Sequence, residues 1–327
     1  MKRIDARPIP GDRGEIRAFL VVRNETLRLP STLRHHRSLG VDRFFVLDNG
    51  STDKTLDYLS AQSDVHVFST TERYSQSHYG VVWVNHLLDT FGTGHWTLTI
   101  DADEQFIYPH YEQVKLPTFC QFLDSVGADV VPCLLLDMYS NLATQDTVHD
   151  PNGSLLDTCG YFDRAPYRMT GVPQFPHLEI YGGMRERVFQ EIGAKQHSPT
   201  ISKAPLVKWK PGTKFLKSTH FLTGTTVAPL LATLLHFKFL SDFHERVQLE
   251  VTRGEHFAGA AEYRAYLEIL RANRSVKFLC NQSTKFEGSS QLVNLGLMAT
   301  ANSYEALVRS TIAAPPKQAM AELAVAV

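Results

Sequence analysis

Three times within the first 110 residues a short apolar run ends abruptly in polar and acidic residues: "FLVVRNE", "FFVLDNGSTDKT" and "WTLTIDADEQF". Each run is short, rich in β-branched and aromatic residues, and bounded by turn formers, which reads as a buried strand. A fourth run of this kind, "VHVFSTT", lies between the second and third. The stretches between the runs carry helical spacing: "RLPSTLRHHRSLG", with a proline near its start and Gly40 as a stop, then "KTLDYLSA", then "SQSHYGVVWVNHLLDTFG". In the last of these Val81, Val84, Leu87 and Leu88 share one face. Strands alternating with helices predict a doubly wound, mostly parallel α/β sheet flanked by helices. Such sheets bind ligands at the carboxyl ends of their strands, so residues 23–25, 48–53 and 101–104 are expected along one crevice.

The third strand end poses an electrostatic problem. Asp101, Asp103 and Glu104 fall within four positions, where they repel one another and are costly to desolvate without a counter-charge. A hard divalent cation such as Mg²⁺ or Mn²⁺ takes oxygen ligands and would offset that repulsion. The plainer alternative has Asp101 capping the following turn and Glu104 in solvent.

Beyond residue 110 the pattern loosens. "LPTFCQFLDSVG" predicts a helix and "ADVVPCLLLDMYS" a strand ending at Asp137, followed by a loop-rich stretch to about residue 180. "ERVFQEIG" and "KWKPGTKFLKSTHFLTG" are expected around short strands, and "HFKFLSDFHERVQLEVTRGEHF" and "AAEYRAYLEILRANR" as helices. The Ala-rich tail after Pro315 and Pro316 is expected to fray. Lys+Arg of 33 against Asp+Glu of 34 leaves a formal charge of −1, which argues against nucleic acid as a partner. The charged, proline-broken start does not read as a signal peptide. The longest apolar run, "TTVAPLLATLLHFKFL", is short for a membrane span and contains His236 and Lys238. Cys120, Cys133, Cys159 and Cys280 form no CxxC pair. A cytoplasmic location is therefore expected, and the Asn-x-Ser/Thr sequons at Asn24, Asn49, Asn152, Asn273 and Asn281 are read as compositional coincidence.

In order and spacing, "FLVVRNE", "DNGSTDKT" and "DAD" resemble the nucleotide-sugar-binding half of family 2 glycosyltransferases with the GT-A fold. The resemblance covers residues 16–110 and continues loosely through "GGMRERVF", "KSTHFL" and "LLHFKFLSDF". It implies a GT-A domain over residues 1–240, with an acceptor half at 111–240, and a C-terminal helical extension over 241–327. It also implies that Arg23 and Glu25 flank a nucleotide, that Asp48 accepts a hydrogen bond from its uracil or ribose, and that Ser51 or Asp53 lines the same pocket. Asp101 would face ribose or metal, and Asp103 would hold the metal bridging the donor diphosphate. His220 and His236 are the candidates to complete the metal site, with His236 and Lys238 near the leaving diphosphate. Plain structural roles stand beside these: Asp48 and Asp53 as turn and cap residues, Arg23 and Glu25 as a solvated pair. A lysine within an apolar run needs an anion, and Arg185 or Arg187 offers a guanidinium fork that matches phosphate.

The implied activity is metal-dependent, inverting transfer of a sugar from a nucleotide-sugar donor to a saccharide or lipid-linked acceptor. Surface polysaccharide or glycolipid synthesis, at the inner face of a membrane, is the expected setting. Inversion needs a carboxylate base for the acceptor hydroxyl, and Glu186, Asp137 and Asp163 are the candidates. A non-catalytic nucleotide-sugar-binding module is the main alternative. A DxD phosphohydrolase would carry its nucleophile on the first strand, and a nicotinamide enzyme needs a G-x-G-x-x-G turn there.

Overall fold

Each apolar run becomes a strand, and the residue that ends each run sets where the chain turns. The computed structural model describes every residue except 13, 173–176, 194–198, 217 and 314–327. β1 (Lys2–Arg3) is a short edge strand and β2 (Ile16–Val22) the first core strand. α1 (Leu29–Leu39) has Pro30 in its first turn and stops at Gly40, whose φ of 109° is left-handed. A Cβ at Gly40 would lie 2.8 Å from Pro117, so glycine is required there twice over. β3 (Arg43–Asp48), α2 (Thr55–Ser60), β4 (Val65–Ser69), α3 (Val81–Phe91) and β5 (Trp96–Thr99) complete the alternation. The apolar face of α3 is buried as its spacing predicts, packing with Phe19, Phe45 and Phe68 of the sheet.

After β5 the chain turns over residues 101–103 and reverses as β6 (Glu104–Ile107). α4 (Leu116–Ser125) and β7 (Val130–Asp137) follow as expected. Next come α5 (Leu155–Thr158), β8 (Tyr161–Asp163), a hairpin of β9 (Tyr167–Val172) and β10 (His177–Gly182), and α6 (Gly183–Glu191). "ERVFQEIG" is thus largely helical. β11 (Ser202–Lys208) and β12 (Ala232–His236) return to the main sheet. α7 (Phe243–Arg253) and α8 (Phe257–Ala272) are followed by β13 (Ser283–Lys285), α9 (Ser289–Asn294) and α10 (Asn302–Ala313). The expected helix beginning at "HFKFL" starts only at Phe243, because His236 ends a strand. The Ala-rich tail lies outside the described residues.

The main sheet has the order β1-β4-β3-β2-β5-β11-β7-β12-β6. β4, β3, β2 and β5 pair in parallel, as do β7 and β12, whereas β11 lies antiparallel between β5 and β7. β6 closes the far edge antiparallel to β12. The molecule is therefore α/β with a large, mostly parallel central sheet flanked by helices, mixed where β11 and β6 enter. Running backwards, β11 and β6 begin at the rim where β2, β3, β5, β7 and β12 end, and so deliver their first side chains to it. Register alone sets His236 opposite both Asp137 and Glu104.

Burial fits this frame. The strands are buried on both faces, which is why they read as near-continuous apolar runs rather than alternating ones. Phe239, Phe243 and Tyr266 join α7 and α8 into a second aromatic core. No helix among the described residues is long and apolar enough to cross a membrane.

Candidate active site

The carboxyl-end rim opens into a cavity of about 590 Å³, lined by residues from several of the strand ends and from α7 and α8. Asp101 and Asp103 both face it, and so do Glu104, Lys203, His236 and Arg185. The rim holds two charge clusters side by side.

The first cluster is a chain of contacts that crosses from the acidic turn to β12, β7 and α6. Asp103 Oδ2 lies 3.4 Å from His236 Nε2, and His236 Nδ1 lies 2.6 Å from Asp137 Oδ1. Arg185 from α6 grips Asp137 through Nε at 3.1 Å and Nη2 at 2.6 Å. All four side chains are at most about a tenth exposed. Burial works against the charge on Asp103, yet His236, with Arg246 and Arg28 beyond it, holds its carboxyl well below the usual range. Burial likewise opposes ionisation of Asp137, but Arg185 and His236 outweigh it and hold its carboxyl low. His236 is pushed the other way: burial would lower it, and Asp103 and Asp137 raise it.

The second cluster answers the electrostatic problem of the acidic turn. Lys203, near the start of β11, puts Nζ 2.7 Å from Asp101 Oδ2 and in direct contact with Glu104 Oε1. Glu104 Oε2 accepts the Asp101 N–H at 3.0 Å. The counter-charge for the strand-end acids is thus partly a protein ammonium. Burial would lower Lys203, but the two carboxylates raise it. Burial and the neighbouring Asp101 push Glu104 up to about 7 despite Lys203. Asp101 is more than half exposed and, with Lys203 outweighing burial, stays below its ordinary value.

The remaining candidates separate into those the fold uses elsewhere and those it brings to the cavity. Asp48 is buried at the end of β3, and its carboxylate accepts the N–H groups of Gly50 and Ser51, each at 3.1 Å. This turn needs the positive φ of 68° at Gly50. Ser51 Oγ accepts the Asn24 N–H at 2.9 Å, and Asp53 ties Thr26 to the Thr55 N–H at the start of α2. The structural readings of Asp48 and Asp53 account for all these contacts, and none of Asp48, Ser51 and Asp53 lines the cavity. Arg23 does line it, donating to the Asn49 carbonyl at 2.7 Å. Glu25 is not solvated; it is buried in a two-pronged ion pair with Arg246 of α7 at 2.8 and 2.9 Å.

Lys238 finds its anion in Glu262 of α8 at 3.0 Å, with its Nζ 5.0 Å from the centre of the Tyr263 ring. Glu262 is drawn down to about 2, Lys238 and Arg185 outweighing its burial. His220 lines the cavity, but its Nδ1 faces the Ser202 carbonyl, and burial together with nearby Lys203 lowers it to about 4. Of the two arginines in "RER", Arg185 reaches the rim, whereas Arg187 pairs with Asp163 at 2.9 Å. Asp163 is also bonded by the Tyr139 hydroxyl and is buried. Glu186 is engaged by Arg168 at 2.6 and 3.0 Å. None of the three expected bases lines the cavity, and each is tied to an arginine.

The expected metal set of Asp101, Asp103, His220 and His236 does not close up as one group, and among the described residues no three His, Cys, Asp or Glu side chains are disposed to hold a metal ion. Asp103 with His236 nonetheless fits a divalent cation. Nδ1 of His236 is committed to Asp137, which leaves Nε2 aimed at Asp103, and a carboxylate behind a ligating imidazole is the usual support for such a ligand. One or two protein ligands completed by substrate phosphate are what Mg²⁺ commonly takes.

Lys203, Arg246 and Glu262 are charged groups of the cavity wall that the sequence reading does not reach. Lys203 carries a signal, since "SKAPLVK" places a lysine in an apolar strand, as "LLHFKFL" does for Lys238. The partnership of Glu25 with Arg246 joins residues 221 apart and has no local signature.

No family model matches the chain, and no curated protein matches it. Among solved structures, glucosyl-3-phosphoglycerate synthase from Mycobacterium tuberculosis is similar at 25% identity over 37% of this chain and 44% of that one, with a TM-score of 0.25. HddC from Yersinia pseudotuberculosis is 12% identical over 39% of this chain and 63% of its own, at a TM-score of 0.27. UDP-glucose pyrophosphorylase from Acinetobacter baumannii is 9% identical over 78% of this chain and 99% of its own, at 0.28. The chain spans under half the length of the first of these. At such TM-scores the likenesses decide nothing about chemistry, which is argued from the site itself.

Proposed function

We propose that the chain is a metal-dependent glycosyltransferase that takes a nucleotide-sugar donor in the rim cavity and passes the sugar, with inversion, to a saccharide or lipid-linked hydroxyl. The observation that carries this reading is the Asp103–His236–Asp137 relay at the strand ends, beside the cationic groups of Lys203, Lys238 and Arg185. Asp103 and His236 would hold the cation, which when bound neutralises charge building on the leaving diphosphate. Asp137 fixes the imidazole, and Arg185 fixes Asp137, so neither ligand has to reorganise as the reaction proceeds.

Glu186, Asp137 and Asp163 lie off the cavity wall. The two helix carboxylates that line it, Glu250 and Glu262, are each paired with cations and held below the usual carboxylate range, which makes both weak bases for an acceptor hydroxyl. Glu104 has the pKa suited to a base, but both of its oxygens are engaged. A role in surface polysaccharide or glycolipid synthesis is the setting we favour for such an acceptor.

The test is thermal shift with UDP-, GDP- and dTDP-sugars, with and without Mn²⁺, followed by release of nucleoside diphosphate. Stabilisation by one nucleotide class together with slow release that is lost in Asp103→Ala supports the transferase. Metal-dependent binding with no release towards water or any acceptor supports a binding module instead. No response to any nucleotide sugar ends both readings.

A further inference from the structure

Lys203 is the least explained cation of the rim. It is 7% exposed, yet it lines the cavity. An ammonium has three N–H donors. Asp101 and Glu104 take two of them, and no third acceptor for Nζ is found among the described residues. The side chain also sits on a strand between β5 and β7 rather than on a loop, so its position is fixed in advance, which is what makes a binding group effective. The two flanking clusters divide the work: Asp103 belongs with His236, and Asp101 belongs with Lys203.

We infer that Lys203 is a diphosphate ligand, a resident ammonium that ties Asp101 to Glu104 and gives its third N–H to a phosphate oxygen of the donor. The inference rests on the proposed function for the identity of that donor, but the recognition itself needs only two linked phosphates. It places part of the diphosphate's neutralisation in the protein and leaves the rest to an exchangeable cation. Diphosphate binding therefore persists, weakened, when divalent cations are chelated, and the part that persists depends on Lys203.

The experiment is calorimetric titration of inorganic pyrophosphate, UDP, GDP and dTDP into the full chain, once in EDTA and once in Mn²⁺. Lys203→Met is expected to weaken pyrophosphate binding about tenfold or more in both conditions, the loss of one charge-assisted hydrogen bond. Lys203→Arg is expected to recover most of it. Because Lys203→Met leaves two acids without a partner, the same comparison is made in an Asp101→Asn, Glu104→Gln background, where folding no longer needs the ammonium. A loss under about threefold in that background overturns the inference and makes Lys203 a purely structural counter-ion. If the wild type binds pyrophosphate through Lys203 but no nucleoside diphosphate, the proposed function falls while the ligand role stands. If it binds neither, both fall.

Discussion

The two sides of the rim use their acids differently. In the turn after β3, Asp48 and Asp53 bond to backbone N–H groups and a hydroxyl, with partners no more than 27 residues away. Glu25 after β2, on the same side, by contrast crosses to a distant cation, Arg246. On the β5–β12 side, Asp101, Asp103 and Asp137 meet side chains far along the chain, brought across by β11, β12 and α6: Lys203 to Asp101 at 102 positions and Arg185 to Asp137 at 48. An acid satisfied by its own turn is committed to holding the chain. An acid facing a cation across a cavity has coordination capacity left for a ligand. By that criterion the capacity to take a ligand lies with Asp101 and Asp103 on the β5–β12 side, and the β3 turn is scaffold.

The sharpest way to break this division is Asp103→Ala. Asp103 should be the acid that reaction depends on, and its loss should lower nucleoside diphosphate release by on the order of 10³-fold. The variant should keep its fold, since His236 retains Asp137. Release within about tenfold of wild type would mean that the relay is structural.

Next in size is Arg185→Ala, which acts on stability. Removing Arg185 from this buried ion pair leaves Asp137 with His236 as its remaining cationic partner, at a cost of up to about 3–5 kcal/mol. Chemical denaturation measures it. A cost below about 1 kcal/mol would show that His236 alone satisfies Asp137, and that Arg185 is free to serve the substrate instead.

On the other side of the rim, Asp48→Ala should cost about 1–2 kcal/mol, the loss of hydrogen bonds to two backbone N–H groups. Nucleotide affinity of the folded variant should stay within about threefold, read by the same titration. A large loss of affinity with little loss of stability would return Asp48 to the nucleotide site and dissolve the comparison.

The same contrast decides what is legible in the sequence. The strand-end turns announce themselves because their signals are local: a run of apolar residues, then Asp, Asn, Gly and Ser at fixed offsets. The helix faces of α1 and α3 are legible for the same reason. The pairing of Lys203 with the acidic turn is not, because it depends on β11 entering backwards between β5 and β7, and a strand's direction leaves no mark on its composition. His236 stands out through its neighbours in "LLHFKFL", but its register opposite Asp137 and Glu104 is again tertiary. The choice among the three expected bases is not legible either, because chain distance from Asp103 says nothing about which acid an arginine will claim. Arg168 and Arg187 claim Glu186 and Asp163.

The smallest expected effect concerns the acid that lies between the two behaviours. Glu104 starts β6, accepts a backbone N–H from its own turn, and also faces a distant lysine. Burial and Asp101 raise it from 4.5 to about 7. A carboxyl raised on folding holds its proton more tightly in the native state, so the native chain binds more protons than the unfolded one between those two values. Its contribution to stability is then complete below the unfolded value and falls as pH rises towards about 7. Glu104→Gln lacks that titration. Unfolding free energies of wild type and variant, taken across this range in denaturant, should therefore diverge in favour of the variant and run parallel above it. Divergence in the opposite sense would mean that the attraction of Lys203 exceeds the cost of burial, leaving Glu104 ionised throughout. Lys203 would then balance two full negative charges, and its pull on a phosphate would be weaker than the inference requires.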